Sequence, residues 1–562
     1  MILSRQEEIA AHMADGIWGH LALDELFLAT ARKAPDRTAL IDPPDRRSFT
    51  DGASRRLSFA EAAAVMEALA GGFASLGLAE DDVVAVQLPN TLEAYLVLLA
   101  LFRARLIACP LPTLWREHDL NLALSQVAPR ALITAARIDG HAHAEMMRLV
   151  AGEHFSVRHV LAFGTEVPDG VVSLDAGLGG ETAPSTPVPR YRTQAADHVA
   201  TICFEASGGA APRPVPRSHN QLVAAALHHI AAADLASGDV ILTPYPPTSL
   251  LPFAAAFGPF VLAGATLALH HPFDARLLQQ SLVDYRATYT ILPPGLIATL
   301  SAAGALSSAR TRLKRVGCAW PAPYLARAEA FPASEADDVP MIDLYALGEA
   351  AMLALPRTGG AVPGRVPLGA TRLGRDGDSG PVVLETRVHG GIQKAAGGPA
   401  LAGSLEVRGA MVPSAEIGSA EERAASAVEP ANGANGDFVA TGVRAQICMT
   451  NPPSADCLER DRDVIHLGHG ALSAPELDHL LCRHSSIGDA AVYAVPDPLL
   501  GERLEAAVVP ADGAKVSSQD VRAYFVSRKV AAHKIPDRVV PVAAIPREKS
   551  GRVDRIKLAR RA

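Results

Sequence analysis

The sequence predicts an α/β protein built of helix-covered, mostly parallel sheets, and three observations carry that prediction. The first is the order strand, turn, helix, strand across Val83–Leu88, Pro89-Asn90, Leu92–Arg103 and Ile107–Pro110, which is one βαβ unit. The second is recurrence of the same order through the apolar runs Ala131–Thr134 and Val160–Phe163. The third is size and composition: 562 residues, 49% hydrophobic and 20% charged, can bury large cores and hold more than one domain.

Upstream of the first unit, Leu21–Pro35 has apolar residues at helical spacing, and Pro35-Asp36-Arg37 turns the chain into a short strand, Ala39–Ile41. Leu57-Ser58-Phe59 precedes a helical segment to Leu76, with Gly77 where a helix C-cap belongs. Further on, the apolar run Val199–Phe204 reads as a buried strand, broken by Ser207-Gly208-Gly209 and followed from Ser218 by a helical segment. Strand, glycine turn, helix is the layout of an anion cradle. Glycines let backbone N–H groups approach phosphate oxygens, and the helix would add its positive N-terminal end. A short glycine turn is by itself more often a surface loop.

Leu222–Leu235 continues as a helix, Val240–Thr243 as a strand, and Pro244–Pro252 as a turn-rich segment. Phe260–His270 gives helix then strand, and Ala287–Pro294 another buried strand. Met341–Glu349 ends on a carboxylate, a ligand suited to a hard cation that bridges phosphates. From Gly359 to Gly436 the composition shifts to Gly, Ala, Pro and Ser, and Ser414–Asn435 reads as a loose loop.

The net charge of −8 and pI near 6.2 argue against a nucleic-acid partner and for small molecules or proteins. Met1–Trp18 lacks the basic-then-apolar layout of a signal peptide, and no apolar run reaches the ~18 residues of a membrane span. The six cysteines form no CxxC pair, so buried free thiols in a reducing cytoplasm are expected.

The stretch His198–Asn220, with Ser207-Gly208-Gly209 and Pro216-Arg217-Ser218-His219-Asn220, resembles the phosphate-binding loop of the adenylate-forming superfamily of acyl-CoA synthetases, peptide adenylation domains and luciferases. It is most similar to the aryl-acid AMP ligases of siderophore pathways. Gly77–Asn90 and Leu99–Pro112 resemble early structural motifs of the same family. The resemblance implies a large N-terminal domain, 1–458, with a smaller β-barrel-like subdomain, and a mobile α+β lid, 459–562. It also implies ATP and Mg2+ as cofactors, a carboxylic acid as substrate, and CoA or an acyl or aryl carrier protein as acceptor.

Carried over residue by residue, the resemblance makes Tyr345 the aromatic under adenine and Glu349 the magnesium ligand. Ser207, Gly208, Gly209 and Arg213 fall in the phosphate loop, Thr441 and Arg460 in the nucleotide-binding motifs, and Arg462 at the hinge. Thr248, Gly317, Cys318 and Trp320 would line the acid pocket, with the Trp adding bulk, and Arg552 takes the place of the catalytic lysine. The departures concern charge and hydrogen bonding. Ala210 and Ala211 stand where hydroxyls belong, Arg213 where a Lys does, and Val443 where an Asp would accept from the ribose. Arg552 keeps a positive charge but replaces a compact ammonium by a planar fork, and His469 stands in a loop that borders the thiol tunnel. Losing one preorganised donor typically costs ~10²–10³ in rate. The expectation is therefore a divergent acid ligase with weakened ATP chemistry, or else a pseudo-ligase or a condensing enzyme fed a pre-activated acyl group.

Overall fold

The computed structural model describes residues 1–175, 192–206, 208–209, 211–326, 339–357, 364–374, 380–395, 398–414, 438–450, 452–460, 463–468, 470–497, 500–511 and 514–560. A first sheet has seven strands, in spatial order Val172–Ser173, His159–Phe163, Ala131–Ala135, Val83–Gln87, Ile107–Pro110, Val199–Glu205 and Arg213–Ser218. All pairs are parallel except the last. Both faces are covered, which is why these strands read as unbroken apolar runs. Val84 and Val86 face an inner core, whereas Val83 and Ala85 face an outer one shared with helices Glu117–Val127 and His143–Ala151.

A second sheet of eight strands runs Ala351–Pro356, Met341–Leu347, Arg315–Trp320, Tyr289–Leu292, Val240–Thr243, Thr266–Leu269, Thr38–Ile41 and Arg56–Ser58, parallel except at its two edges. Helix Leu92–Arg103 is buried from Leu92 to Phe102, and helices Leu23–Lys33 and Phe59–Ser75 pack on it. Ser58 caps the last of these by accepting the Glu61 N–H, and Gly77 follows it at φ +72°. Asn90 ties the carboxyl ends of the two sheets together. Its amide donates to Thr243 O at 2.9 Å and His270 O at 3.2 Å, while the Tyr95 hydroxyl donates to its Oδ1.

The expected strand-turn-helix cradle is corrected by the structure. After the glycine turn the chain forms a further antiparallel strand, Arg213–Ser218, before helix His219–Ala233 begins. Pro214 and Pro216 hide this strand from sequence patterning, and they are tolerated because it lies at the sheet edge. The helix N-terminus is thereby removed from the glycine turn by a six-residue strand, about 20 Å at ~3.3 Å per residue. It is capped internally by Ser218 and supplies no field to that turn.

A third, antiparallel sheet of six strands has Arg365–Pro367 and Gly369–Arg372 at its two ends. Only Leu368 separates these edges in the chain, so the sheet curls nearly closed, and Thr386 Oγ1 donates to both Pro367 O and Gly369 O. The expected loop Ser414–Asn435 lies, but for Ser414, outside the described residues. Among the cysteines, Cys109, Cys203 and Cys318 are buried, but Cys482 is exposed at the end of a helix, against expectation. No helix of the described residues is long and apolar enough to cross a membrane.

A separate small core runs from Ile465 to Ile535 around strands Ile487–Asp497, Gly501–Pro510 and Arg538–Pro541 and helices Ala474–Cys482 and Ser518–Ser527. It docks on the large lobe through a buried ammonium. Lys534 Nζ lies 2.7 Å from Asp119 Oδ1 of the large lobe and 2.6 Å from Glu476 Oε1 of the small one. Asp119 also accepts the Ala531 N–H at 3.0 Å, and Lys529 pairs with Glu117 at 3.0 Å. Burial alone would raise the Asp119 pKa, but Lys534 carries it below its ordinary value; burial would lower that of Lys534, but Asp119 and Glu476 raise it. The share of stability from Asp119 is present above its unfolded pKa and lost as pH falls through the lowered folded value. That from Lys534 is lost only as pH rises through the raised one, so the clasp holds across neutral pH. Lys534→Met should cost about 3–5 kcal/mol in chemical denaturation, because it strands two buried carboxylates. Asp119→Asn should instead leave both cores intact and separate the lobes, seen as a larger radius in solution scattering. An unchanged radius would show that the clasp does not hold them.

Candidate active site between the lobes

A cavity of about 260 Å3 lies where the lobes meet. The large lobe contributes Trp115 and Phe204, whose rings sit 5.7 Å apart as an apolar wall, with Tyr245, Thr248, Ala319, Ala346 and two carboxylates, Glu205 and Glu349. The small lobe contributes the hairpin formed by Val464–Leu467 and Gly470–Ser473, together with Glu476, His533 and Lys534. Ser473 Oγ donates to Gly209 O, seating this hairpin on the glycine turn, and the Tyr324 hydroxyl shares a 2.9 Å hydrogen bond with His466 Nδ1.

Glu349 is the most constrained group in the cavity. It is 5% exposed, its Oε2 accepts from Arg217 Nη1 at 2.8 Å, and the Leu250 N–H donates to both oxygens at 3.1 and 3.2 Å. Burial pushes its pKa up to about 7, against the pull of Arg217 and the backbone N–H. Arg217 is itself 1% exposed, with no hydrogen-bond partner on Nε or Nη2. No role for Arg217 was expected from the sequence. The available signal was a second arginine in the short strand Arg213–Ser218, set between Pro216 and the capping Ser218.

The structure gathers some of the expected residues and not others. Thr248 and Glu349 line the cavity. Arg213 turns back on Glu205, with Nη2 2.7 Å from Oε2. Along strand Arg315–Trp320, Ala319 faces the cavity, so Cys318 and Trp320 point the other way. Trp320 therefore adds no bulk to the pocket: it is 1% exposed in the core and its Nε1 donates to Asp343 Oδ1 at 2.8 Å. Tyr345 pairs with Trp320 in register and is 2% exposed, its hydroxyl accepting the Gly364 N–H at 3.0 Å. Thr441 is held within the curled sheet, donating to Leu405 O at 2.8 Å, and Val443 is buried beside it. Arg552 is also away from the cavity, its side chain 62% exposed and 3.4 Å from Asp463. Gly208 is exposed on the glycine turn. Ser207, Arg462, His469 and the side chain of Arg460 lie outside the described residues.

These features define a two-lobed α/β protein with a cavity at the joint between its lobes. The chain belongs to the AMP-binding enzyme family, which it matches over residues 27–410, with the AMP-binding enzyme C-terminal domain over 476–552. It is 27% identical to the salicyl-AMP ligase / salicyl-S-ArCP synthetase of Mycobacterium tuberculosis, covering 99% of this chain and 93% of that one. It is also 27% identical to pyochelin synthase PchD of Pseudomonas aeruginosa, covering 98% and 94%. The apo structure of Mycobacterium smegmatis MbtA shares the fold at a TM-score of 0.66, with 24% identity over 100% of this chain and 98% of the other. The amide bond synthetase McbA of Marinactinospora thermotolerans does so at 0.70, with 20% identity over 96% and 99%. The chain is thus a member of the acyl- and aryl-acid adenylate-forming ligases.

Members of this family use ATP and Mg2+. Mg2+ takes oxygen ligands, commonly one or two carboxylates with the rest from phosphate and water. Glu349 fits that part, because it lines the cavity with only a backbone N–H upon its Oε1, and Glu205 is a second carboxylate of the lining. Among the described residues no group of three ligating side chains is assembled, so the site fits a metal carried in on phosphates and not a resident ion. With its pKa near 7, Glu349 must lose a proton to ligate. Mn2+ binding in the presence of ATP, read by water-proton relaxation, should tighten about tenfold from pH 6 to pH 8, and Glu349→Gln should remove that dependence. A slope that persists in Glu349→Gln would place the metal elsewhere.

Proposed function

We propose that this protein is a divergent acyl- or aryl-acid adenylate-forming ligase whose adenylation half-reaction is weak and whose strength lies in holding an activated acyl group for transfer. One observation carries the reading. The cations of the two phosphate-handling motifs, Arg213 and Arg552, are drawn to Glu205 and Asp463, and Arg552 lies off the cavity altogether. Attack of a carboxylate on an α-phosphate brings two anions together, so it depends on preorganised positive charge. Transfer of the acyl group brings one thiolate to a neutral carbonyl, forms the thioester bond and releases AMP, and the oxyanion that develops can be met by N–H donors in place of cations.

The lobe arrangement supports the same reading. The face of the small lobe turned to the cavity carries the hairpin of Val464–Leu467 and Gly470–Ser473, not the segment bearing Arg552. In this reading 1–458 is the acyl- and nucleotide-binding lobe and 459–562 the lid that turns at Arg462. Glu349 and Thr248 border the acyl group, and Gly208 and Gly209 the phosphate end. The acceptor is the thiol of CoA or of an acyl or aryl carrier protein, and the protein serves natural-product synthesis in the cytoplasm.

Two assays test it together. ATP-pyrophosphate exchange over a panel of aryl and short acyl acids should be slow or absent, and Arg552→Ala should change it less than the ~10²–10³ expected for loss of a working donor. Transfer from supplied benzoyl-adenylate to CoA or a phosphopantetheinylated carrier domain should run at least ~10²-fold faster than the reaction from benzoate and ATP. Brisk exchange that collapses in Arg552→Ala would overturn the proposal in favour of an ordinary ligase.

A further inference from the structure

The lining of the cavity is poor in positive charge. Among its described residues stand four carboxylates, Asp119, Glu205, Glu349 and Glu476, and one ammonium, Lys534, which serves Asp119 and Glu476. The other two carboxylates are met by arginines that stand behind the lining, and exposure separates the two pairs. Arg217, on Glu349, has a side chain 0% exposed, whereas that of Arg213, on Glu205, is 38% exposed. The side chain of Glu205 is itself only 9% exposed. The strands set this pair: Glu205 and Arg213 are direct partners in the antiparallel ladder, at the base of the glycine turn. Ala206 and Pro212, their neighbours on the turn side, line the cavity together with Glu205. The guanidinium of Arg213 therefore lies at the margin of the cavity and within reach of what enters it.

A guanidinium fork takes a carboxylate or a phosphate through the same parallel N–H donors. We infer that Glu205 stands in for a phosphate: by holding Arg213 it is the positioning residue that makes this cavity select adenosine monophosphate and its acyl esters over the triphosphate. This deepens the acyl-holding reading above and rests on it. An acyl-adenylate ends at its one phosphoryl group and asks nothing of Arg213. The β- and γ-phosphates of ATP need a cation at the glycine turn, and the cation there already carries a carboxylate, with Nη2 2.7 Å from Oε2. Arg213 is open to a ligand, but Glu205 is closed to water, so drawing the arginine away would strand a buried carboxylate. Exchange of Glu205 for the isosteric neutral amide removes that penalty, and with it one negative charge from the wall, without touching the turn.

Titration calorimetry on the full chain compares ATP with AMP in EDTA, where metal ligation by the lining carboxylates does not enter. The wild type should bind AMP at least as tightly as ATP. Glu205→Gln should tighten ATP at least ~10-fold more than AMP, the order expected when one unit charge is removed near added anionic charge in a half-buried site. Adding Arg213→Met should bring the ATP-to-AMP ratio back to within about threefold of the wild type, a reversal that a merely structural role for Glu205 would not give. Thermal unfolding of both variants checks that the fold survives. ATP bound tighter than AMP by the wild type, a ratio unmoved in Glu205→Gln, ATP that stays undetectable in that variant, or a gain that survives Arg213→Met overturns this inference. None of these outcomes touches the acyl-holding reading, which fails instead if benzoyl-sulfamoyladenosine, a non-hydrolysable acyl-adenylate analogue, binds neither the wild type nor Glu205→Gln.

Discussion

One ammonium fixes where the two halves of this protein meet. Lys534 is 6% exposed and shared between Asp119 of the large lobe and Glu476 of the small one. Removing an ion from water is expensive, and a buried charge is tolerated only when its partners are in place. The two lobes therefore cannot slide past each other by a few ångströms without leaving a carboxylate or an ammonium stranded. The consequence reaches the cavity directly, because Glu476 and Lys534 themselves line it and the hairpin Gly470–Ser473 leads into the helix that carries Glu476. What the small lobe presents to the large one is set by this contact, and in this arrangement it excludes the segment around Arg552.

The electrostatics of the site follow from how its cations are distributed. Arg217 is paired with Glu349, Arg213 with Glu205, Lys534 with Asp119 and Glu476, and Arg552 with Asp463. Each of these positive charges meets a carboxylate, although the Arg552 side chain stays 62% exposed and Arg217 keeps two nitrogens without a partner. A nucleotide triphosphate would have to compete with those pairings or bring its own metal. An acyl group asks for nothing of the kind, and the apolar wall of Trp115 and Phe204 suits it. The proposed acyl-holding role also rests on this match between the apolar wall and an acyl group.

The sheets were legible in the sequence because strands buried on both faces appear as continuous apolar runs, as at Val83–Gln87 and Ala131–Ala135. Strand Arg213–Ser218 was not, because two prolines and two arginines mask it, and only its position at a sheet edge makes them admissible. Motif resemblance located Glu349, but not the arginine across the strand turn that holds it. Arg217 and Glu349 are far apart in sequence, and pairing at that range is a property of the packed sheets alone. The same holds for Trp320. Its side chain was assigned to the pocket from its place in a motif, yet a one-residue difference in strand parity sends it to the opposite face. Lys534 sits among apolar neighbours in Val530–Ile535, and a lysine in such a run signals burial with a partner without saying which.

The departures from the family pattern are not spread evenly over the site, and their placement bears on whether the protein is merely decaying. A scaffold released from function should fill its voids, since burying more apolar area and satisfying stray polar atoms both add stability. Here the phosphate loop lacks the family's hydroxyls and Arg213 turns to Glu205, while in the core Gly317 makes room for the Tyr289 hydroxyl, and Tyr289 and His229 keep polar atoms without partners. Each such atom costs about 1–3 kcal/mol to leave without a partner. A scaffold gaining stability alone would shed that cost, since partnered or apolar replacements at such positions are the cheaper solution.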